Sequence, residues 1–217
     1  MDHVPDSAAE SLRQAFSAIA STDVADAGGV PLPPGLKAIG GTRLCGFART
    51  VQLSPGDNLG LQALAVQARP GDVLVAVGGG SETALVGELL SLRAAVRGAA
   101  GFLVDGYARD SGLLALPVFA RGTMPRKPRR EDFVALDEPA ELLGVTVTPG
   151  DLLLADEDGI VLIPRSDAEA ILAKLPAVLQ ANEVQKAQIV AGEDLSWLED
   201  ALARRRPPTP GSNQPPV

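Results

Sequence analysis

The chain is poor in the residues on which several kinds of chemistry depend. Its 217 residues include one histidine, His3, and one cysteine, Cys45. A lone cysteine excludes an internal disulfide framework, and a lone histidine excludes Ser-His-Asp and Cys-His triads and histidine-rich zinc sites. Cys45 lies in the apolar-flanked run Leu44-Cys45-Gly46-Phe47 and reads as a small core residue in preference to a nucleophile. Aromatic residues make up only 3%, too few for platforms that stack bases or sugars. No stretch approaches the ~18 consecutive apolar residues that span a bilayer, and Met1-Asp2-His3-Val4-Pro5-Asp6 lacks the basic start and apolar run of a secretory leader. No membrane association and a cytoplasmic location are therefore expected. Positive charge is also scarce: 19 Lys and Arg stand against 27 Asp and Glu, for a net charge of -8. Nucleic-acid binding, which needs a basic face to neutralise phosphates, is not expected.

What is present is a sizeable apolar fraction, 46%, with mean hydropathy +0.14, enough for a core that folds without staples. Polar catalysis is left to carboxylates, arginine, lysine, backbone amides or a hard metal ion. The single basic cluster, Arg126, Lys127, Arg129 and Arg130, is broken by Pro125 and Pro128 and followed by Glu131 and Asp132. It has two readings, a solvated loop or a patch that attracts an anionic substrate.

Along the chain, residues 7–19 carry Ala8, Leu12, Phe16 and Ile19 at near-helical spacing, and Ser21-Thr22-Asp23 looks like the cap of a short helix ended by Gly28-Gly29. Residues 41–53 are β-rich, with a best strand at 48–53, and Ser54-Pro55-Gly56-Asp57 is a turn before a helix over 59–68. Asp72 to Val77 reads as a buried strand, Gly78-Gly79-Gly80-Ser81 as a tight loop, and 88–96 as a helix stopped by Gly98. Phe102-Leu103-Val104-Asp105 is the next strand, so a parallel pair with a right-handed crossover is expected. Pro117 to Ala120, 152–155 and 160–164 are further strands. Pro149-Gly150-Asp151 repeats the Pro70-Gly71-Asp72 approach to a strand. A long helix over 166–191 follows, and the segment 207–216, rich in proline, reads as a disordered tail. Together these elements give one α/β domain over residues 1–205 with helical segments at both ends, and a tail over 206–217.

Two segments could carry chemistry. The glycine loop lies between a buried strand and a helix, which suggests either amides that bind an anion at a helix N-terminus or simply a tight passage of backbone. It lacks the third glycine of a dinucleotide fingerprint and the Gly-Lys-Ser/Thr of a P-loop. The second segment is Asp105-Gly106-Tyr107-Ala108-Arg109-Asp110, at the carboxyl end of a strand, where ligands of open α/β sheets collect. Arg109 can stabilise a developing enolate oxygen, and Asp110 can hold a hard cation such as Mg²⁺. An Arg-Asp neighbour pair is also a common surface ion pair. Glu88, at the head of the preceding helix, would add a second carboxylate to the same crevice.

In order along the chain stand Gly78-Gly79-Gly80-Ser81, Gly87-Glu88, twenty residues, Arg109-Asp110, and Pro117-Val118-Phe119-Ala120-Arg121-Gly122-Thr123. With Thr22-Asp23-Val24-Ala25-Asp26-Ala27, Pro55-Gly56-Asp57-Asn58-Leu59, Pro70-Gly71-Asp72-Val73-Leu74 and the stretch from Pro149 to Gly159, this pattern resembles the RraA-like family, over residues 20 to 165. That family includes 4-hydroxy-4-methyl-2-oxoglutarate and 4-carboxy-4-hydroxy-2-oxoadipate aldolases.

The resemblance implies an α/β/β/α sandwich, homotrimers or hexamers with sites between subunits, and Mg²⁺ or Mn²⁺ near the Arg-Asp pair. It makes Asp110 the metal ligand and places Arg109 on the 2-oxo oxygen. Glu88 stands at the position that orients metal-bound water. The amides of Gly87, Glu88 and Leu89, with Asn58, would receive the substrate carboxylate. Two features depart from the pattern: Glu88 is one methylene longer than the usual aspartate, and the segment Ser111-Gly112-Leu113-Leu114-Ala115 is shorter, with Leu113 where an acidic residue often stands. The implied activity is metal-dependent carbon–carbon cleavage of a small 2-oxo acid through a pyruvate enolate, by aldol cleavage or by decarboxylation of an oxaloacetate-like substrate. The alternative is a non-catalytic regulator that binds and inhibits a ribonuclease. A methyltransferase finds no cofactor motif.

Overall fold

Asp72 to Val77 are buried without exception, as a strand covered on both faces must be. The structure, a computed structural model, describes residues 7–79, 81–193 and 196–205. Its elements in order are α1 (Ser7–Ser17), α2 (Ser21–Asp26), β1 (Val30–Pro31), β2 (Lys37–Gly40), β3 (Leu44–Gln52), α3 (Leu59–Gln67), β4 (Asp72–Val77), β5 (Ala84–Val86), α4 (Glu88–Ala95) and β6 (Gly101–Ala108). A single 3₁₀ turn at Ser111–Leu113 leads to β7 (Val118–Thr123), followed by β8 (Ala140–Leu142), β9 (Val145–Val147), β10 (Leu152–Ala155), β11 (Ile160–Ile163), α5 (Ala168–Ala191) and α6 (Ser196–Arg205).

The main sheet has nine strands, in the order β1-β11-β10-β3-β4-β6-β7-β2, with β5 added beside β6. Its centre, β3, β4, β6 and β7, is parallel, while the pairings toward both edges are antiparallel. The expected strand–helix–strand unit is β4–α4–β6, and its strands pair in parallel. On one face Val51, Leu74, Ala76, Phe102 and Val104 pack with Leu61, Leu64 and Ala65 of α3 and Leu90 and Ala94 of α4. On the other, Ala48, Val73, Val75, Leu103 and Phe119 pack with Ala140, Leu142 and Val147 of the β8–β9 hairpin, a second β-layer. The fold is thus mixed α/β with helices at both ends of the chain. One unit runs to Leu175; a second, from Pro176 on, holds the rest of α5 and α6. The expected tail over 206–217 and His3 lie outside the described residues.

The two Pro-Gly-Asp approaches are one device used twice. Gly71 (φ 83°) and Gly150 (φ 92°) adopt the left-handed conformation glycine tolerates. The following aspartate then folds back: Asp72 Oδ2 accepts the Arg69 N–H at 2.8 Å, and Asp151 Oδ2 accepts the Thr148 N–H at 2.9 Å. The Ser54–Asp57 turn is as expected, closed by the Asp57 N–H on Ser54 O at 3.0 Å.

Several expectations are corrected. Ser21 does not cap α2; the cap position is Ala20, and the Ser21 amide and hydroxyl both donate to Asp156, at 2.7 and 2.6 Å. A carboxylate far along the chain satisfies the helix start instead of a local side chain. The strand expected over 102–105 spans Gly101–Ala108, and the one expected over 117–120 spans Val118–Thr123, because each finds a parallel partner in the other. Finally, β5 separates the glycine loop from α4, so that loop is not the N-terminus of the helix.

Candidate active site

Three parallel strands end together. Ala108, the last residue of β6, is in register with Val86 of β5 on one side and Thr123 of β7 on the other. Two hydrogen bonds extend the join past the strands: the Arg109 N–H donates to Val86 O at 3.0 Å and the Met124 N–H to Ala108 O at 2.9 Å. The chain then turns sharply at Asp110, a non-glycine residue in the left-handed region (φ 53°, ψ 42°). Such a residue costs on the order of 1 kcal/mol and persists where its neighbours hold it. Here the Leu113 N–H closes on Asp110 O at 2.8 Å.

The head of α4 meets this turn. Gly87 is the N-cap, in extended conformation, and its missing side chain lets Arg109 and Asp110 approach closely. A Cβ at Gly87 would lie 2.8 Å from Asp110 Oδ2, 2.9 Å from Arg109 Cγ and 3.2 Å from Arg109 Nε. Arg109 Nε stands 3.3 Å from Asp110 Oδ2, and the Glu88 N–H donates to the same oxygen at 3.4 Å. A carboxylate at the start of a helix faces unpaired N–H groups and the positive end of the helix dipole. Arg109 and Asp110 side chains are each 37% exposed, and with Thr123, Met124 and Pro125 they line a depression of about 280 Å³.

The structure therefore brings Gly87, Glu88, Arg109 and Asp110 together. Leu89 is on the same helix head with its side chain exposed. Asn58 is placed differently. It is buried, its Nδ2 donates to Leu85 O at 2.8 Å, and its Oδ1 is buried with no partner among the described residues. It acts on β5 and does not line the depression beside Arg109. Thr123, Met124 and Pro125 were not singled out from the sequence as site residues. Thr123 closes the Pro117–Thr123 motif, and the parallel register of β6 and β7 makes it a neighbour of Ala108.

Of the other candidates, the glycine loop is a tight passage at Gly78, where a Cβ would lie 2.4 Å from Leu85 Cδ1 and 2.8 Å from Asp105 O. The four cations of the basic cluster are exposed; Arg129 spends its guanidinium on Pro55 O and Glu131. Cys45 is buried, and desolvation pushes its thiol up to about 11, which suits a core residue and not a nucleophile.

Among the described residues no three His, Cys, Asp or Glu side chains gather as a metal cage. Asp110 is a hard oxygen donor beside a depression large enough for water molecules. That donor set fits an ion such as Mg²⁺ or Mn²⁺, which commonly keeps several waters and takes one or two carboxylates.

Comparison with known proteins follows the same outline. The RraA-like family, described as Aldolase/RraA, matches residues 21–162, so the chain belongs to that family. A Thermus thermophilus protein named 4-hydroxy-4-methyl-2-oxoglutarate aldolase is 38% identical over 156 residues, covering 66% of this chain and 92% of that protein. A Halalkalibacterium halodurans protein provisionally named for the same activity is 38% identical over 136 residues; the match spans 61% of this chain and only 65% of that protein. The structure of Streptomyces coelicolor RraAS2, described as an unusual member of the RNase ES inhibitor RraA protein family, superposes with a TM-score of 0.72 at 30% identity. It covers 86% of this chain and 99% of its own. Named relatives thus include both aldolases and ribonuclease inhibitors.

Proposed function

We propose that the protein is a divalent-metal-dependent lyase that breaks a carbon–carbon bond of a small 2-oxo acid, as a 4-hydroxy-4-methyl-2-oxoglutarate aldolase or an oxaloacetate decarboxylase does. The observation that carries this reading is the Arg109–Asp110 pair, held side by side against Gly87 and the head of α4 where β5, β6 and β7 end.

Both reactions leave an electron pair on the pyruvate fragment, and the protein's task is to stabilise the enolate oxygen that results. Arg109 supplies a fixed positive charge and a planar set of donors at that oxygen. The amides at the start of α4, from Gly87, Glu88 and Leu89, carry the right partial charge for a substrate carboxylate, which would share the Glu88 N–H with Asp110 Oδ2. Glu88, the first residue of α4, offers a carboxylate that would orient water or accept its proton. Asn58 supports the site indirectly, through the Leu85 carbonyl of β5. Mg²⁺ or Mn²⁺ held at Asp110 would supply Lewis-acid polarisation of the 2-oxo group.

We further propose that the protein is a homotrimer or hexamer. Leu89, Leu92 and Val96 are 69%, 49% and 74% exposed and follow one another on one face of α4 beside the site, an apolar stripe that suits a neighbouring copy.

Turnover tests the reading directly. Purified protein supplied with Mg²⁺ or Mn²⁺ should release pyruvate from 4-hydroxy-4-methyl-2-oxoglutarate or oxaloacetate, and excess chelator should abolish the activity. Full activity in chelator, with metal content verified as negligible, would sink the metal-dependent mechanism. The likeness to RraAS2 favours a second reading, a regulator that inhibits a ribonuclease. Absence of turnover together with stoichiometric inhibition of a ribonuclease would establish it.

A further inference from the structure

We infer that Ser91 is a positioning residue for the Arg109–Asp110 pair, an assignment that rests on the lyase reading above. Ser91 stands in the first turn of α4 and is wholly buried. Its N–H donates to Gly87 O at 3.0 Å, and its hydroxyl donates to Glu88 O at 2.8 Å. Those two bonds are local, of the kind a helical serine ordinarily makes. A third is not: Ser91 Oγ accepts the N–H of Ala115, across twenty-four positions, at 3.0 Å.

Ala115 is the far end of the segment that begins at Asp110. The near end is held by the Glu88 N–H on Asp110 Oδ2. Residues 110–115 are therefore fastened to α4 at both ends through one residue, Glu88: directly by its N–H, and by its carbonyl through the Ser91 hydroxyl. Between the two fastenings the chain is a single 3₁₀ turn that starts from a left-handed aspartate. Such a backbone holds its shape only while its ends are held. Without the hydroxyl, the Ala115 N–H loses its partner and the segment relaxes from the helix. The Asp110 carboxylate then drifts from the Glu88 amide and from Arg109. Ser91 touches no reacting atom; it fixes where Asp110 can be.

The test compares wild type with Ser91→Ala, Ser91→Cys and, as a control, Thr50→Val. Thr50 is another wholly buried hydroxyl, bonded to Glu138 O and outside the site. Three quantities are measured on the full chain: hydrogen exchange in peptides covering 111–115, Mn²⁺ affinity, and kcat and KM for pyruvate release. In Ser91→Ala, exchange over 111–115 should quicken about five- to tenfold, as loss of one part-buried hydrogen bond implies. Mn²⁺ affinity and kcat should each fall about tenfold or more, the size seen when a supporting shell is removed. Ser91→Cys, of similar shape with a weak donor, should recover part of each. Thr50→Val should lower the melting temperature without a selective change at 111–115 or in Mn²⁺ affinity. The assignment is overturned if Ser91→Ala leaves both at wild-type values, or changes exchange only uniformly, as the control does. If wild type neither binds Mn²⁺ nor turns over, the lyase reading falls, while exchange over 111–115 still decides whether Ser91 ties the segment.

Discussion

On the proposed reading the Arg109 and Asp110 side chains do different chemistry, so single substitutions should separate them. Replacing Asp110 with alanine removes the hard oxygen ligand; Mn²⁺ affinity and turnover should fall together, and raised metal should recover part of the loss. Arg109→Lys keeps the charge but loses the planar fork, so Mn²⁺ should still bind while turnover drops roughly 10²-fold, the scale for deleting one oxyanion donor. Calorimetric Mn²⁺ titration alongside steady-state rates on both variants reads the two effects. If the arginine variant loses metal and the aspartate variant keeps metal and activity, the pair is a surface ion pair and nothing more. Gly87 permits a complementary test. An added methyl would press on the Asp110 carboxylate and on the Arg109 side chain at Cγ and Nε, displacing both, and not on backbone. Gly87→Ala should therefore leave the melting temperature within a few degrees while turnover falls by about 10²-fold, since a displacement near 1 Å at reacting groups has that effect. Equal losses in folding and activity would contradict it.

At the level of elements, the tie between α2 and the β10–β11 turn should be visible in acid. Burial raises the Asp156 carboxyl, but the Ser21 hydroxyl and amide, the Asp158 N–H and the Arg43 guanidinium together hold it below the ordinary carboxylate range. Glu10 is held at about 2, first by its hydrogen bond to Arg13 on α1. A carboxyl depressed in the folded state adds stability that is complete above its unfolded value and is lost as pH falls through the folded one. Asp57 acts in the same direction: burial raises it, and the Leu59, Glu131 and Asp132 N–H groups outweigh burial. Asp72, raised by burial despite Arg49, works the opposite way. Urea melts should show stability falling from about pH 4.5 toward pH 2. Asp156→Asn should cost about 1–3 kcal/mol at pH 7, the penalty for disturbing a buried charged partner, and should flatten part of that slope. An unchanged slope in the variant would refute the role given to Asp156.

For the whole molecule, the prediction concerns assembly. Light scattering should report three or six copies, and Leu92→Glu with Val96→Glu, which put charge into the exposed stripe of α4, should yield smaller species. A fully active monomer would defeat the proposal. The family match stops at residue 162, so α5 and α6 lie beyond it. Among the described residues no helix is long and apolar enough to cross a membrane.

How much was legible in the sequence depends on how local the signal is. The unbroken apolar run of β4, the periodic stretch of α1 and the Pro-Gly-Asp turns announce themselves, because burial on both faces, helical spacing and a positive-φ glycine each leave a mark within a few residues. The Arg109–Asp110 motif was legible through its chemistry and its place after a strand. Six elements were not: β1, β2, β5, β8 and β9 span two to four residues each, too short for alternation to register, and α6 was not anticipated. Nor could local pattern show that Ser21 would be satisfied by Asp156, that Asn58 would turn to Leu85, or that Met124 and Pro125 would wall the depression. By itself the sequence determined most of the longer elements, the parallel pairing of β4 with β6 and the candidate residues Glu88, Arg109 and Asp110, since these follow from local burial and side-chain chemistry. Only the tertiary structure decided which of those residues meet. Strand register and the left-handed turn at Asp110 join groups far apart along the chain, and such contacts are specified by packing of the whole sheet.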